Sequence, residues 1–359
     1  MGGSRMRKRK WLVGMGLSAV LALSACNGQE KASTKDNEKT YELKVAYGNL
    51  YGAPLADIAR AEGFFEEENL KVDMVGLSGD GLTPLQAEKV DIALTFGSTA
   101  PMNFIANGAD FQMIGGHMEG GHPLVAKKEN VDQYKTLEDY KGKKIAVVHL
   151  DTLDVYFKAA LQEAGIDIKK DVEFIELDSR ASVLEAVKTG KADVGISGTG
   201  HLTKTLELGL APVQWINDIE PDAVCCRVTV RGDISDEQAI AYKKFMKALI
   251  KAERVKLESP EKNLEASIDR FKNLSESTID EIVNEPHLIN TADPNKNETL
   301  ELWEKMKSIG YVKKEAENID MNAHFNLSFY EQAIDELIEE NPDDEYYQKQ
   351  LERFNQQNF

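Results

Sequence analysis

Lys89–Pro101 reads K-V-D-I-A-L-T-F-G-S-T-A-P, and 102 residues further on Lys191–Gly200 reads K-A-D-V-G-I-S-G-T-G. Laid over one another, Lys89 falls on Lys191, Asp91 on Asp193, Leu94 on Ile196 and Thr95 on Ser197. Each copy is a short apolar run of strand length that ends in small, hydroxyl-bearing and glycine residues. That is the composition of a loop whose backbone N–H groups can approach a ligand. Open α/β sheets bind ligands at the carboxyl ends of their strands. The pair therefore predicts two similar lobes, each offering a polar loop to one shared cleft.

Outward from this pair the elements alternate. Glu42–Tyr47 has the polarity of a strand, and Pro54, Leu55, Ile58, Ala59 and Phe65 give a helical face that Gly63 stops or bends. Leu70–Val75 reads as a strand, Leu82–Lys89 as a short helix, Ala100–Ala106 as a helix and Phe111–Ile114 as a strand. The following G-G-H-M-E-G-G-H-P is too glycine-rich for strand or helix and predicts a loop. The order repeats from Leu137: strand Lys144–Val148, a helix with Phe157, Ala160, Leu161 and Ala164 on one face and Gly165 at its end, strand Val172–Leu177, helix Ser182–Lys188, then the echo strand. This is an α/β pattern with largely parallel sheets.

Asp222–Arg231 has a strand core, V-C-C-R-V-T-V, and Ser235 with Gln238 forms a capping box at the head of a long helix. Helical faces recur over 279–283, 300–306 and 329–338, and the acidic, amide-rich stretch from Asn341 reads as a solvated, loosely held helix. Cys225 and Cys226 read either as small, part-buried strand residues or as a vicinal disulfide, and no metal-binding cysteine spacing occurs.

The first 25 residues carry targeting information. Arg5, Arg7, Lys8, Arg9 and Lys10 precede the 13-residue apolar run Trp11–Leu23, too short to span a bilayer comfortably, and Leu23-Ser24-Ala25-Cys26 resembles a bacterial lipobox with Cys26 as the lipidated residue. Residues 26–40 are polar and without apolar period, a flexible tether. The expected location is extracytoplasmic, anchored to the cell membrane by the lipid. Removing the leader takes the formal charge from −18 to −23, which argues against nucleic acid as a partner.

The lipobox, L-K-V-A-Y-G, A-R-A-E-G-F-F-E-E-E-N-L-K-V, the paired K-x-D-[IV] strands, L-E-D-Y-K-G-K-K-I-A-V and the closing S-F-Y-E-Q-A together resemble the nitrate, sulfonate and taurine class of solute-binding proteins for ABC importers, a class that also holds binders of thiamine-pyrimidine precursors. The resemblance covers about 41–337. It implies a two-lobed type 2 periplasmic-binding architecture with a ligand cleft between lobes, one lobe from 41–122 plus 226–359 and the other from 123–225, with crossings near 120–124 and 221–227. It implies a small-molecule ligand, an ABC permease with its ATPase as partners, no cofactor and no catalysis. An enzyme acting on a pyrimidine precursor is the rival reading, and the lipobox argues against it because an anchored extracellular protein has little access to cytoplasmic cofactors.

If loops after strands form the cleft, the candidate ligand-binding residues are Asn49 and Tyr51, Asp80, Ser98 and Thr99, His117 and Glu119, Asp151 and Thr152, Ser197, Thr199 and His201, and Arg227. Ser98 and Thr99 suit a small oxyanion at a helix start, and equally an ordinary N-cap. Arg227 suits a bidentate pair with an anion, or a plain surface position. His117, Glu119 and His122 lie without metal spacing, so no metal site is expected. Asp80, Glu119 and Asp151 beside His117, His149 and His201 suit a ring with amino or amide donors, whereas Ser98, Thr99 and Arg227 suit an oxyanion. Both ligand classes stay open at this level.

Overall fold

The computed structural model describes residues 39–49 and 52–359. The leader, Cys26, the tether as far as Glu38, and Tyr51 lie outside the described residues. Two mixed sheets carry the chain. The first has the order β11-β4-β10-β3-β1-β2, built from β1 (Tyr41–Gly48), β2 (Leu70–Leu77), β3 (Ile92–Ala93), β4 (Phe111–Gly120), β10 (Val224–Arg231) and β11 (Leu288–Ile289). The second has the order β7-β6-β8-β5-β9, built from β5 (Pro123–Lys127), β6 (Lys144–Val148), β7 (Glu173–Leu177), β8 (Val194–Ile196) and β9 (Leu210–Trp215). In each sheet the echo strand sits beside a parallel neighbour on one side, β3 on β1 and β8 on β6, and an antiparallel one on the other, β10 and β5.

The K-x-D repeat has a common cause. The Asp91 carboxylate accepts the backbone N–H of Lys44 at 2.8 Å, and the Asp193 carboxylate accepts that of Lys144 at 2.8 Å. Both aspartates also donate their own N–H to the carbonyl of that same lysine, each at 2.8 Å. One acid thus closes the opening end of each parallel pair and sets its register.

The glycine-rich 115–120 stretch departs from the expected loop, since β4 continues through it to Gly120. A Cβ on Gly116 would stand 2.1 Å from the Asp293 carbonyl oxygen, and one on Gly115 2.3 Å from Met246 Cε. These glycines admit the 291–293 backbone and the long helix Asp236–Glu258 against the strand. His117 and Glu119 are therefore strand residues, buried behind the sheet.

That face holds a buried polar layer. Arg227 donates to the carbonyls of Cys226 at 3.0 Å, Pro294 at 2.7 Å and Met118 at 2.9 Å, and stands 3.5 Å from the Glu119 carboxylate. Arg353, from the terminal helix Glu345–Asn358, donates to the other Glu119 oxygen at 3.1 Å and to Thr291 Oγ1 at 3.2 Å. Burial pushes the nearby Glu253 carboxyl up to about 7. The terminal helix is thus solvated on its outer face, as its composition suggests, but firmly docked rather than loosely held. Phe354 is fully buried and stacks on Tyr330 with ring centroids 4.9 Å apart, and Asn358 donates to Asp293 at 2.8 Å. Gln350, Arg353 and Asn358 turn toward the buried layer, while Glu345, Gln348, Lys349, Glu352, Asn355 and Gln356 form the solvated face of an amphipathic helix. Among the described residues no helix is long and apolar enough to cross a membrane.

Phe354→Ala should cost about 3–5 kcal/mol in urea unfolding, the range for a buried aromatic truncated in a core that cannot collapse around it. A loss below about 1 kcal/mol, the range of surface changes, would mean that the terminal helix is not docked.

Candidate ligand-binding site

The parallel strands β1, β2 and β3 of one sheet and β6 and β7 of the other point their carboxyl ends at a common cleft. It holds a cavity of about 650 Å³. The first sheet and its loops supply Asn49, Ser78, Gly79, Phe96 and Thr99 and, from β10, Cys225 and Cys226; the second sheet and its loops supply His149, Leu150, Asp151, Thr152 and Arg180; His122 lies between β4 and β5, where the chain passes from one sheet to the other. Phe96 owes its place to Gly81, where any Cβ would lie 2.1 Å from the ring.

Two helices begin here, Thr99–Ala106 after β3 and Thr152–Glu163 after β6. Their first turns are bonded to each other across the cleft. Thr99 Oγ1 donates to the Leu150 carbonyl at 2.7 Å, and the Ser98 N–H donates to Thr152 Oγ1 at 3.2 Å. Ser98 Oγ donates to the Cys225 carbonyl at 3.0 Å, and Thr152 Oγ1 reaches the same oxygen at 3.5 Å. The carbonyl of Cys225 is therefore shared by one hydroxyl from each lobe. Leu150 adopts a φ of +62°, a left-handed backbone that costs a bulky residue about 1–3 kcal/mol and is held here because its carbonyl takes the Thr99 hydroxyl and its N–H goes to Asp154 at 3.3 Å.

The ion pair facing the cavity is Asp151 with Arg180, at 2.7 Å. Asp151 also accepts the Leu153 N–H at 3.1 Å as N-cap of its helix, and Arg180 donates to the Ser197 carbonyl at 2.8 Å. Burial, helped by the Arg180 charge, depresses the imidazoles of His122 and His201 to about 4. Both are neutral near pH 7. His149 lies at the half-exposed rim, 3.0 Å from Glu176. The rest of the wall is largely apolar: Leu77, Phe96, Val148, Leu150 and Leu153. The sulfur-to-sulfur hydrogen bond and burial hold the Cys225 thiol well above its ordinary value.

Of the residues chosen from sequence, Asn49, Thr99, Asp151 and Thr152 line the cavity. Asp80 caps the next turn, accepting the N–H groups of Leu82 at 2.7 Å and Thr83 at 3.1 Å. Ser98 lies just beneath the wall in the cross-lobe bonds. Ser197, Thr199 and His201 stand outside the lining, Thr199 donating to the Gly121 carbonyl at 2.7 Å. His117, Glu119 and Arg227 are not brought to the cavity; they belong to the layer behind β4. His117 is fully buried without a hydrogen-bond partner for either ring nitrogen, and burial, with Lys256 next, lowers it to about 3. Sequence reasoning missed Phe96, Arg180 and Ser78. Arg180 follows β7 in D-S-R, so the strand-end rule applied to that loop would have found it.

Residues 56–263, a span that takes in the cavity wall from Leu77 to Cys226, match the model of the NMT1/THI5-like family. The chain belongs to that family. A Haemophilus influenzae protein named as a putative thiamine biosynthesis protein is 29% identical over 143 residues, 39% of this chain and 43% of that protein. The match thus spans less than half the length of this curated relative. The NMT1/THI5-like chain also shares its two-lobed fold with solved ligand-binding proteins. The ligand-binding component of an ABC-type import system from Staphylococcus aureus, solved with zinc bound, superimposes with a TM-score of 0.66 at 14% identity over 82% of this chain and 99% of that one. The aliphatic sulphonate binding protein SsuA from Escherichia coli gives 0.64 at 16% over 80% and 99%, and the nitrate-binding protein NrtA from Synechocystis gives 0.63 at 15% over 83% and 89%.

The depressed imidazoles set a pH dependence. The unfolded chain takes up protons near pH 6.5 that folded His117, His122 and His201 refuse until about 3, 4 and 4, so their contribution is complete above pH 6.5 and is lost as pH falls toward those values. Urea unfolding from pH 7.5 to 4.5 should show a declining limb that becomes shallower in His117→Leu. An unchanged slope in that variant would mean that His117 takes up its proton in the folded state as well.

Proposed function

We propose that this chain is the extracytoplasmic solute-binding component of an ABC importer, held at the membrane by a lipid on Cys26, and that it captures a small planar heterocycle between its lobes for delivery to a permease and its ATPase. The lobes are 41–122 plus 226–359 and 123–225. The observation that carries the reading is the shared cavity: loops from both sheets wall one space, so a ligand that touches both favours the closed arrangement and shifts that equilibrium. No bond of the ligand need change. The name of the Staphylococcus aureus neighbour, a ligand-binding component of an ABC-type import system, points the same way.

The wall supports this ligand class. A cavity of about 650 Å³ is of the size that encloses an organic molecule, and nitrate would leave most of its apolar surface unfilled. Phe96 offers a ring face, Asp151 an acceptor, and His122 a neutral imidazole. The Arg180 charge is already balanced by Asp151, which favours a neutral or amino-bearing ring over a bare anion. The thiamine-related name of the Haemophilus influenzae relative fits a pyrimidine precursor. An organic sulfonate is the second reading, favoured by Arg180 if its guanidinium exchanges partners on binding.

The test is a thermal-shift and calorimetric screen against aminopyrimidine thiamine precursors, thiamine, aliphatic sulfonates, taurine and nitrate. A ligand at a hundred times its Kd adds about 2.7 kcal/mol of stability. A pyrimidine should raise the melting temperature, and Asp151→Asn and Phe96→Ala should each weaken its binding about tenfold or more, the loss of one charge-assisted hydrogen bond or one aromatic contact. A shift with nitrate alone would overturn the ligand class. Turnover of the pyrimidine by the protein would overturn the transport reading.

A further inference from the structure

We propose that Cys225 and Cys226 form an oxidisable dithiol site in the floor of the cavity, and that closing it to a vicinal disulfide loosens the bonds that tie the two lobes together. In a regular strand, consecutive side chains point to opposite faces. These two do not: both line the cavity, and their sulfurs lie 3.4 Å apart as free thiols. The register of β10 against β4 shifts between Val224 and Cys226 and again between Cys226 and Arg227. This bulge turns both side chains inward, a use bulges commonly serve beside functional sites. Although the pair is buried from the outer surface, the cavity gives a small oxidant a path to it.

The chemistry balances with a peroxide as the oxidant. One thiol displaces water from hydrogen peroxide and becomes a sulfenic acid. The neighbouring thiol then attacks that sulfur and expels a second water, so two thiols are oxidised by two electrons while one peroxide becomes two waters. The sulfurs must close from 3.4 Å to about 2.05 Å. Successive Cα atoms stand only about 3.8 Å apart, shorter than the usual disulfide span of about 4.4–6.8 Å, so the peptide between the cysteines must rotate. The oxygen of that peptide is the Cys225 carbonyl, which accepts from Ser98 Oγ at 3.0 Å on one lobe and faces Thr152 Oγ1 at 3.5 Å on the other. Rotation takes this acceptor away from both hydroxyls.

The full chain is treated with hydrogen peroxide, digested without reductant and mapped by mass spectrometry, and its melting midpoint is measured before and after. The peptide containing both cysteines should be about 2 Da lighter, and the midpoint should fall by about 2–4 °C and recover with dithiothreitol. A Cys225→Ser/Cys226→Ser variant carries the same methionines and controls for their oxidation; its midpoint should not recover with dithiothreitol. In Ser98→Ala, which already lacks one of the two hydroxyls, the reversible fall should shrink to about half. Absence of the lighter peptide overturns the site. A disulfide that forms without a reversible fall, or with an equal fall in Ser98→Ala, overturns the coupling to the lobes.

Discussion

The cleft depends on one carbonyl oxygen and the hydroxyls around it. The Cys225 carbonyl takes Ser98 from one lobe and faces Thr152 from the other, and Thr99 closes the set on Leu150. A hydrogen bond of this kind contributes about 0.5–1.5 kcal/mol net, so the set is worth a few kcal/mol while leaving the lobes separable. It also decides where charge can sit. With the first-turn hydroxyls committed to protein, the cavity presents Asp151 with Arg180 and the neutral imidazole of His122 rather than an anion-binding nest.

Packing behind the cleft explains how such a site stays in shape. The layer of Glu119, Arg227, Glu253 and Arg353 fixes β4 and β10 against the long helix and the terminal helix. Breaking a buried pair of this kind costs about 3–5 kcal/mol, so these groups are bound to one arrangement even though none of them lines the cavity. The polar character of β4 and of the C-terminal segment is thereby a property of folding, and the ligand meets a different and smaller set of polar atoms.

Much of the fold was legible because it is periodic. The repeat Asp91 and Asp193 marks two carboxylates doing the same work at the start of two parallel strand pairs, and the strand-end rule led to Asn49, Thr99, Asp151 and Thr152. The rule failed where local composition is set by distant backbone. Gly115 and Gly116 look like a loop but admit the 291–293 segment, so His117 and Glu119 were assigned to the cleft when they lie behind the sheet. That Cys225 and Cys226 both line the cavity depends on a bulge, a matter of pairing with β4, which turns both the same way. Arg227 was assigned to the cleft because nothing nearby in sequence announces the carbonyls of Met118, Asp293 and Pro294 that hold it.

The most direct measurement is a crystal structure of the protein with an aminopyrimidine bound. The ring should lie against Phe96, with an amino group within hydrogen-bond distance of Asp151 and contacts to both lobes. A ring bound to one lobe only, or seated away from Phe96 and Asp151, would contradict this reading.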